Sequence, residues 1–218
     1  MYMLQKQETF PIQSISFLDK DYPQEFREIG EDKPSCIYLL GNQQLLYAEK
    51  KVAIIGMRKC DQPGKEIAYK LGMEYAQKGY VVISGLALGC DTAAHLGCLD
   101  AEGHTIAIVA SGLDRTHPKE NKWLQDRISQ NNGLLLSEQP VGVKANPTRL
   151  IARNRFQAAL ADFVIVVQSP LESGTMHTVR FAQKYGKTIY AVRYEEWNER
   201  NEENKYLLEQ EHARPIIL

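Results

Sequence analysis

No apolar run in the chain approaches the roughly 18 residues that a membrane span requires. Met1 to Phe10 has neither the basic stretch nor the apolar core of a signal peptide, so the expected compartment is the cytoplasm. Four cysteines, Cys36, Cys60, Cys90 and Cys98, show no Cys-x-x-Cys spacing, which argues against a zinc site or a disulfide framework. A Gly-x-Gly-x-x-Gly dinucleotide fingerprint is missing, and so is a phosphate-binding lysine motif. No metal-ligating cluster, activated nucleophile, internal repeat or low-complexity linker stands out, so no cofactor, metal or catalytic residue is expected. The net charge is only −1, far from that of a protein that binds nucleic acid over its whole surface. Any polyanion site must therefore be local.

What is present suits one sizeable core: 218 residues, 44% apolar and 24% charged. Residues 1–48 read as a short N-terminal extension, with turn material at Asp21-Tyr22-Pro23 and Asp32-Lys33-Pro34 and a short strand at Ile37–Gly41. From residue 49 a regular alternation begins. Strands are expected at Val52–Ile55, Tyr80–Ile83, Thr105–Val109, Leu134–Leu136, Phe163–Val167 and Thr188–Val192. Helices are expected at Gly64–Lys78, Asp91–Ala101, Glu120–Gln130, Leu150–Leu160 and Thr175–Tyr185. Short, continuous, β-branched runs are what strands covered on both faces look like. Alternation with helices implies an α/β fold with a doubly wound, mostly parallel sheet and helices on both faces. The expected organisation is one domain over 1–218, with 49–218 as its core.

Glycine and arginine motifs recur at the strand ends. In a parallel α/β sheet all strand-to-helix turns lie on one edge, so these motifs are expected to converge. Gly56-Met57-Arg58 closes the first core strand, with Arg58 at the mouth of a groove or simply on the surface. Ser84-Gly85-Leu86-Ala87-Leu88-Gly89-Cys90-Asp91 runs from a strand into a helix, and its amides suit an anion. Asp91 is awkward there, because a carboxylate competes with phosphate; it caps the helix or orients the loop. His95 lies four residues on, on the same helix face, as an acid/base couple or a structural hydrogen bond. Gly112-Leu113-Asp114 follows another strand, and Lys119 and Lys122 are groove or plain surface residues. Lys144, Arg149, Arg153 and Arg155 fall in an acid-free segment, whereas residues 195–211 are strongly acidic. Arg153 and Arg155, two apart on a helix, point in different directions: one faces a ligand and the other an internal acid. Ser173-Gly174-Thr175 is an anion site or an ordinary N-cap.

This ordered set of motifs resembles the DprA/Smf family of DNA-processing proteins. Ser137-Glu138 and the closing Asn204-Lys205-Tyr206-Leu207-Leu208 also match, so the resemblance covers most of the chain. It implies an extended Rossmann-like fold that binds single-stranded DNA, forms a homodimer and helps load the RecA recombinase during natural transformation. Carried over by motif, the DNA-contacting residues are Arg58, the Ser84–Gly89 loop with Gly85, Gly112, and Arg153 with Arg155. Ser173, Gly174 and Thr175 join them as a phosphate site, and Lys144 and Lys119 follow from charge alone. The chain departs from the family pattern at Leu150-Ile151-Ala152, where phenylalanine then proline is usual, so a base-stacking aromatic is absent at that place. Many relatives append a winged helix, and none is expected here. Two competing readings remain: a small-nucleotide module or phosphoribohydrolase with Asp91, His95 or Glu138 as acid or base, and a protein-interaction role with a decayed groove.

Overall fold

The computed structural model describes residues 11–217. The signal-peptide reading of Met1 to Phe10 lies outside them. An opening segment holds β1 (Gln13–Ser16), α1 (Gln24–Glu28) and β2 (Cys36–Gly41). Then follow β3 (Lys51–Ile55), α2 (Gln62–Gln77), β4 (Val81–Ser84), α3 (Cys90–Asp100), β5 (Thr105–Ile108), α4 (Lys122–Gln130) and β6 (Leu134–Ser137). The rest comprises α5 (Pro147–Ala152), α6 (Asn154–Leu160), β7 (Phe163–Val166), α7 (Thr175–Lys184), β8 (Thr188–Val192), α8 (Glu202–Glu209) and β9 (Arg214–Ile216).

The strands form one sheet in the order β1-β2-β6-β5-β4-β3-β7-β8-β9. Every pairing from β6 through β9 is parallel, while β1 and β2 add antiparallel strands at the β6 edge. This is the expected α/β, Rossmann-like, mostly parallel sheet with helices on both faces. The opening segment contributes strands to the sheet itself. All positions of β3, β4, β5 and β6 are buried, which is why they read as unbroken apolar runs. Within β3, Ala53 and Ile55 join the layer containing Phe156 and Val179, whereas Val52 and Ile54 join the layer of Leu71 and Ala94. That alternation places α6 and α7 on one face and α2 and α3 on the other. Among the described residues no helix is long and apolar enough to cross a membrane.

Two features place the site. First, β3 has β4 on one side and β7 on the other. The chain leaves β3 toward one edge and returns across the sheet to β7, so a crevice opens at their carboxyl ends. Second, the expected helix over Leu150–Leu160 is two helices. The α5 helix starts at Pro147, with Asn146 Oδ1 accepting from the Arg149 amide at 2.8 Å, and ends at Ala152. The α6 helix begins at Asn154, so Arg153 sits at the junction.

Candidate nucleic-acid interface

The crevice at the switch point is a cavity of 430 Å³. Gly56, Met57, Arg58 and Lys59 supply one side, Arg153, Asn154 and Gln157 the floor, and Ser173, Gly174, Thr175 and Thr178 the far side. Gln168, which follows β7, links the two flanking loops. Its carbonyl accepts from the Met57 amide at 2.8 Å, and its Nε2 donates to both Asp61 carboxylate oxygens at 3.0 Å. Asp61 in turn caps α2, with Oδ1 accepting from the Gly64 amide at 2.8 Å. The loop carrying Arg58 is thus fixed at both ends. Arg58 itself is exposed, and its guanidinium has no hydrogen-bond or ion-pair partner among the described residues. It also borders a 190 Å³ cavity, shared with Gly85, His117 and Arg153, and an 840 Å³ groove beside α2 and α3. Three concave surfaces meet at Arg58.

Arg153 is held differently. It is buried, and its Nη1 donates to the Ile108 carbonyl at 2.8 Å. Gly85 makes room for it: a Cβ there would lie 1.6 Å from Nη1. The Arg153 Nε, the Gln157 Oε1 and the His95 Nε2 are buried without a hydrogen-bond partner. Burial pushes the Asp91 carboxyl up, and the Arg153 charge opposes that shift. Burial pushes the Arg153 guanidinium down, with Asp91 acting in the opposite sense. Burial, then the charges of Arg58 and Arg153, also lower the pKa of His117, which lines the smaller cavity beside Arg58.

The Ser84–Gly89 loop departs from the expected anion nest. Asp91 Oδ2 accepts from the Gly85 and Ala87 amides at 3.1 and 3.3 Å, so the protein's own carboxylate occupies the place assigned to phosphate. Asp91 therefore orients the loop, and the N-cap of α3 is Gly89. The Ser84 hydroxyl is buried and donates to the Ile54 carbonyl at 2.7 Å. Gly89 adopts φ +79°, and a Cβ on it would lie 2.5 Å from the Met57 and Arg58 carbonyl oxygens. Its lack of a side chain thus brings this loop against the Arg58 loop. The Asp91–His95 couple does not form. His95 Nδ1 instead lies 2.7 Å from Thr105 Oγ1, whose proton goes to the Val82 carbonyl at 2.6 Å. The imidazole therefore carries its proton on Nδ1, and burial with the Arg153 charge lowers its pKa to about 3.

Other expected residues separate from the groove. Arg155 lines none of the three concave surfaces; it forms an ion pair with Glu138 and donates from Nε to the Asp32 carbonyl at 2.8 Å. Its guanidinium also lies 4.1 Å from the Phe156 ring centroid. With these partners it is not available to phosphate. Gly112 serves loop packing: its amide donates to the Val143 carbonyl at 2.9 Å, and a Cβ would meet the Pro140 oxygen at 2.4 Å. Lys119 and Lys144 are exposed and line none of the three concave surfaces at Arg58. The Ser173 hydroxyl pairs with Ser169 Oγ at 2.6 Å and donates to Glu203 Oε2 at 3.2 Å. Ser173 still lines the crevice beside the exposed Gly174 and the buried Thr175.

A family described as "DNA recombination-mediator protein A" matches residues 13–217. The chain belongs to that family. DNA processing protein DprA of Streptococcus pneumoniae is 39% identical over 179 residues, covering 82% of this chain and 62% of the relative. The Bacillus subtilis DprA is 35% identical over 181 residues, covering 83% of this chain and 60% of the relative. The chain thus spans about three fifths of the length of these two relatives. A solved DprA structure from Helicobacter pylori, described for its unique single-stranded DNA binding mode, superposes with TM-score 0.84 at 36% identity. That match covers 95% of this chain and 91% of the other. A molybdenum cofactor binding protein of Rippkaea orientalis, at TM-score 0.55 and 21% identity over 78% of this chain and 89% of its own, shares the fold alone. Lys59, Gln157 and Thr178 line the crevice but were not singled out from sequence, and Asn154 entered only as the middle of the Arg153-Asn154-Arg155 motif. Arg153 with Gln157, and Thr175 with Thr178, carry the i,i+4 and i,i+3 spacings that mark one helix face, and that signal points to them.

Proposed function

We propose that the switch-point groove binds the sugar–phosphate backbone of single-stranded DNA, and that the protein acts as a recombination mediator in DNA uptake. The observation that carries this reading is Arg58: an exposed, unpaired guanidinium on a fixed loop, where three concave surfaces meet at the carboxyl edge of the sheet. Arg58 takes a phosphate bidentately. Arg153 adds positive potential from beneath the floor, and the exposed backbone at Gly174 gives a strand close approach on the far side. Contacts of this kind read charge and spacing, so little sequence preference is expected. Loading of RecA, a homodimeric state and a cytoplasmic setting complete the proposal. They rest on family membership and on the single-strand binding for which the Helicobacter pylori relative is described.

Arg58→Ala tests it. Loss of one charged hydrogen-bonding group is expected to cost about 1–3 kcal/mol in fluorescence anisotropy with a labelled oligothymidylate. Unchanged affinity removes Arg58 from the interface. The nucleotide-module reading draws on the 430 Å³ size of the crevice and its unpartnered Gln157 Oε1. A thermal shift produced by a mononucleotide, and not by an oligonucleotide, favours it.

A further inference from the structure

The 840 Å³ groove is built from three helical segments, and the DNA-binding reading above does not use it. Its floor is the small-residue side of α3, at Gly89, Thr92 and Ala93. One wall is α2, presenting Lys65, Tyr69 and Lys70; the other holds Glu120, Asn121 and Trp123 at the start of α4. Arg58 and Lys59 line both this groove and the switch-point crevice, so the two are continuous. The Trp123 indole is 50% exposed. It stands on a rigid mount. The neighbouring Asn121 is buried, and its Nδ2 donates to the Leu86 carbonyl and to Thr92 Oγ1, each at 2.9 Å. Lys59, Lys65 and Lys70 are exposed and form no ion pair among the described residues. With Arg58 they set four cations against two acids, Glu66 and Glu120, in a chain whose net charge is −1.

We infer that this groove is a second single-strand subsite, in which a base stacks on Trp123 while Lys59, Lys65 and Lys70 hold the phosphates of a strand continuing past Arg58. The inference rests on the single-stranded DNA reading of the adjoining crevice. An exposed aromatic face flanked by unpaired cations is the combination that holds single strands, because every base offers a face to stack and every linkage offers a charge. Duplex DNA has no free base face for the indole. The site also supplies a stacking group to a chain whose Leu150-Ile151-Ala152 segment carries no aromatic residue.

The test uses the full chain carrying Trp197→Phe, which leaves Trp123 as the sole tryptophan of the two. It is titrated with oligothymidylates of about 5 and about 16 nucleotides, the short and long ends of common single-strand footprints. The long strand is expected to quench the indole fluorescence. Trp123→Ala is expected to weaken the long strand by about 5- to 150-fold while the short strand changes by less than about twofold, and Trp123→Phe retains most of the affinity. Equal binding of the long strand by Trp123→Ala, while Arg58→Ala weakens both lengths, overturns this subsite and leaves the crevice reading intact. Failure of the parent protein to bind either length overturns both. A changed mass in light scattering for Trp123→Ala, with unchanged DNA affinity, makes the groove a self-association surface and overturns the inference.

Discussion

Replacing Arg153 by methionine separates a groove-floor brace from a free phosphate ligand. The methionine stem keeps most of the apolar volume and removes the guanidinium. The structure assigns that group one short hydrogen bond, Nη1 to the Ile108 carbonyl at 2.8 Å, in a buried setting. A hydrogen bond from a charged donor contributes about 1.5–3 kcal/mol, and its loss leaves the acceptor buried. Asp91 also loses the positive charge that offsets its burial. The expected total is about 3 kcal/mol, which for a chain of this length lowers Tm by about 6–12 °C. The deficit shrinks as pH falls, because a protonated Asp91 needs no counter-charge. Circular dichroism melts at about pH 8 and about pH 5 read both quantities. A Tm within about 2 °C of the parent, together with weakened DNA binding, refutes the brace.

Two further perturbations follow from the same geometry. Arg155→Met removes the ion pair with Glu138, whose two side chains are 14% and 19% exposed. It is expected to lower unfolding free energy by about 1–3 kcal/mol in urea and to leave single-strand affinity unchanged; a loss of affinity without a loss of stability contradicts the assignment. Glu203 is buried against Ser169 and Ser173, and burial raises its pKa to about 7 from 4.5. Its contribution is fully present below the unfolded pKa and is lost as pH rises through about 7. His95, lowered to about 3 from 6.5, acts in the opposite sense, its stability being lost as pH falls from 6.5 toward 3. The two offset each other between the unfolded pKa of the carboxyl and that of the imidazole. Glu203→Gln is therefore expected to raise stability above neutral pH by up to about 3 kcal/mol and to expose a steeper acid limb; an unchanged pH profile contradicts this.

The sheet was legible because its strands are dry on both faces. Val52–Ile55 and Phe163–Val167 carry no polar residue, and only strands between two helix layers tolerate that. The edge was less legible. The β9 strand is three residues, Arg-Pro-Ile, with a proline that suits only an edge position. The α8 helix is hidden in an acidic run that reads as solvated surface, yet Glu203 and Leu207 within it are buried. At the site, sequence placed the motifs on one edge and anticipated that one arginine of the pair would meet an internal acid. It did not distinguish Arg155 as that residue, because the junction at Arg153 breaks the helical phase between them. The loop amides of Gly85 and Ala87 read as free because their partner, Asp91, is itself in the following helix. A short glycine-rich loop tied to its own downstream carboxylate has the same local sequence as an anion site.

Under the proposed function, Arg58, unpaired among the described residues, holds the backbone of a single strand at the switch point. The most direct measurement is the affinity of the parent protein and of Arg58→Ala for single and double strands of one sequence across a salt titration. Single-strand binding is expected to be tighter at every salt concentration, affinity to fall as salt rises, and the log–log slope to be reduced by about 0.7 in the variant, the share of one phosphate contact on a single strand. Equal slopes for parent and variant, or equal affinity for the two strand forms, contradict it.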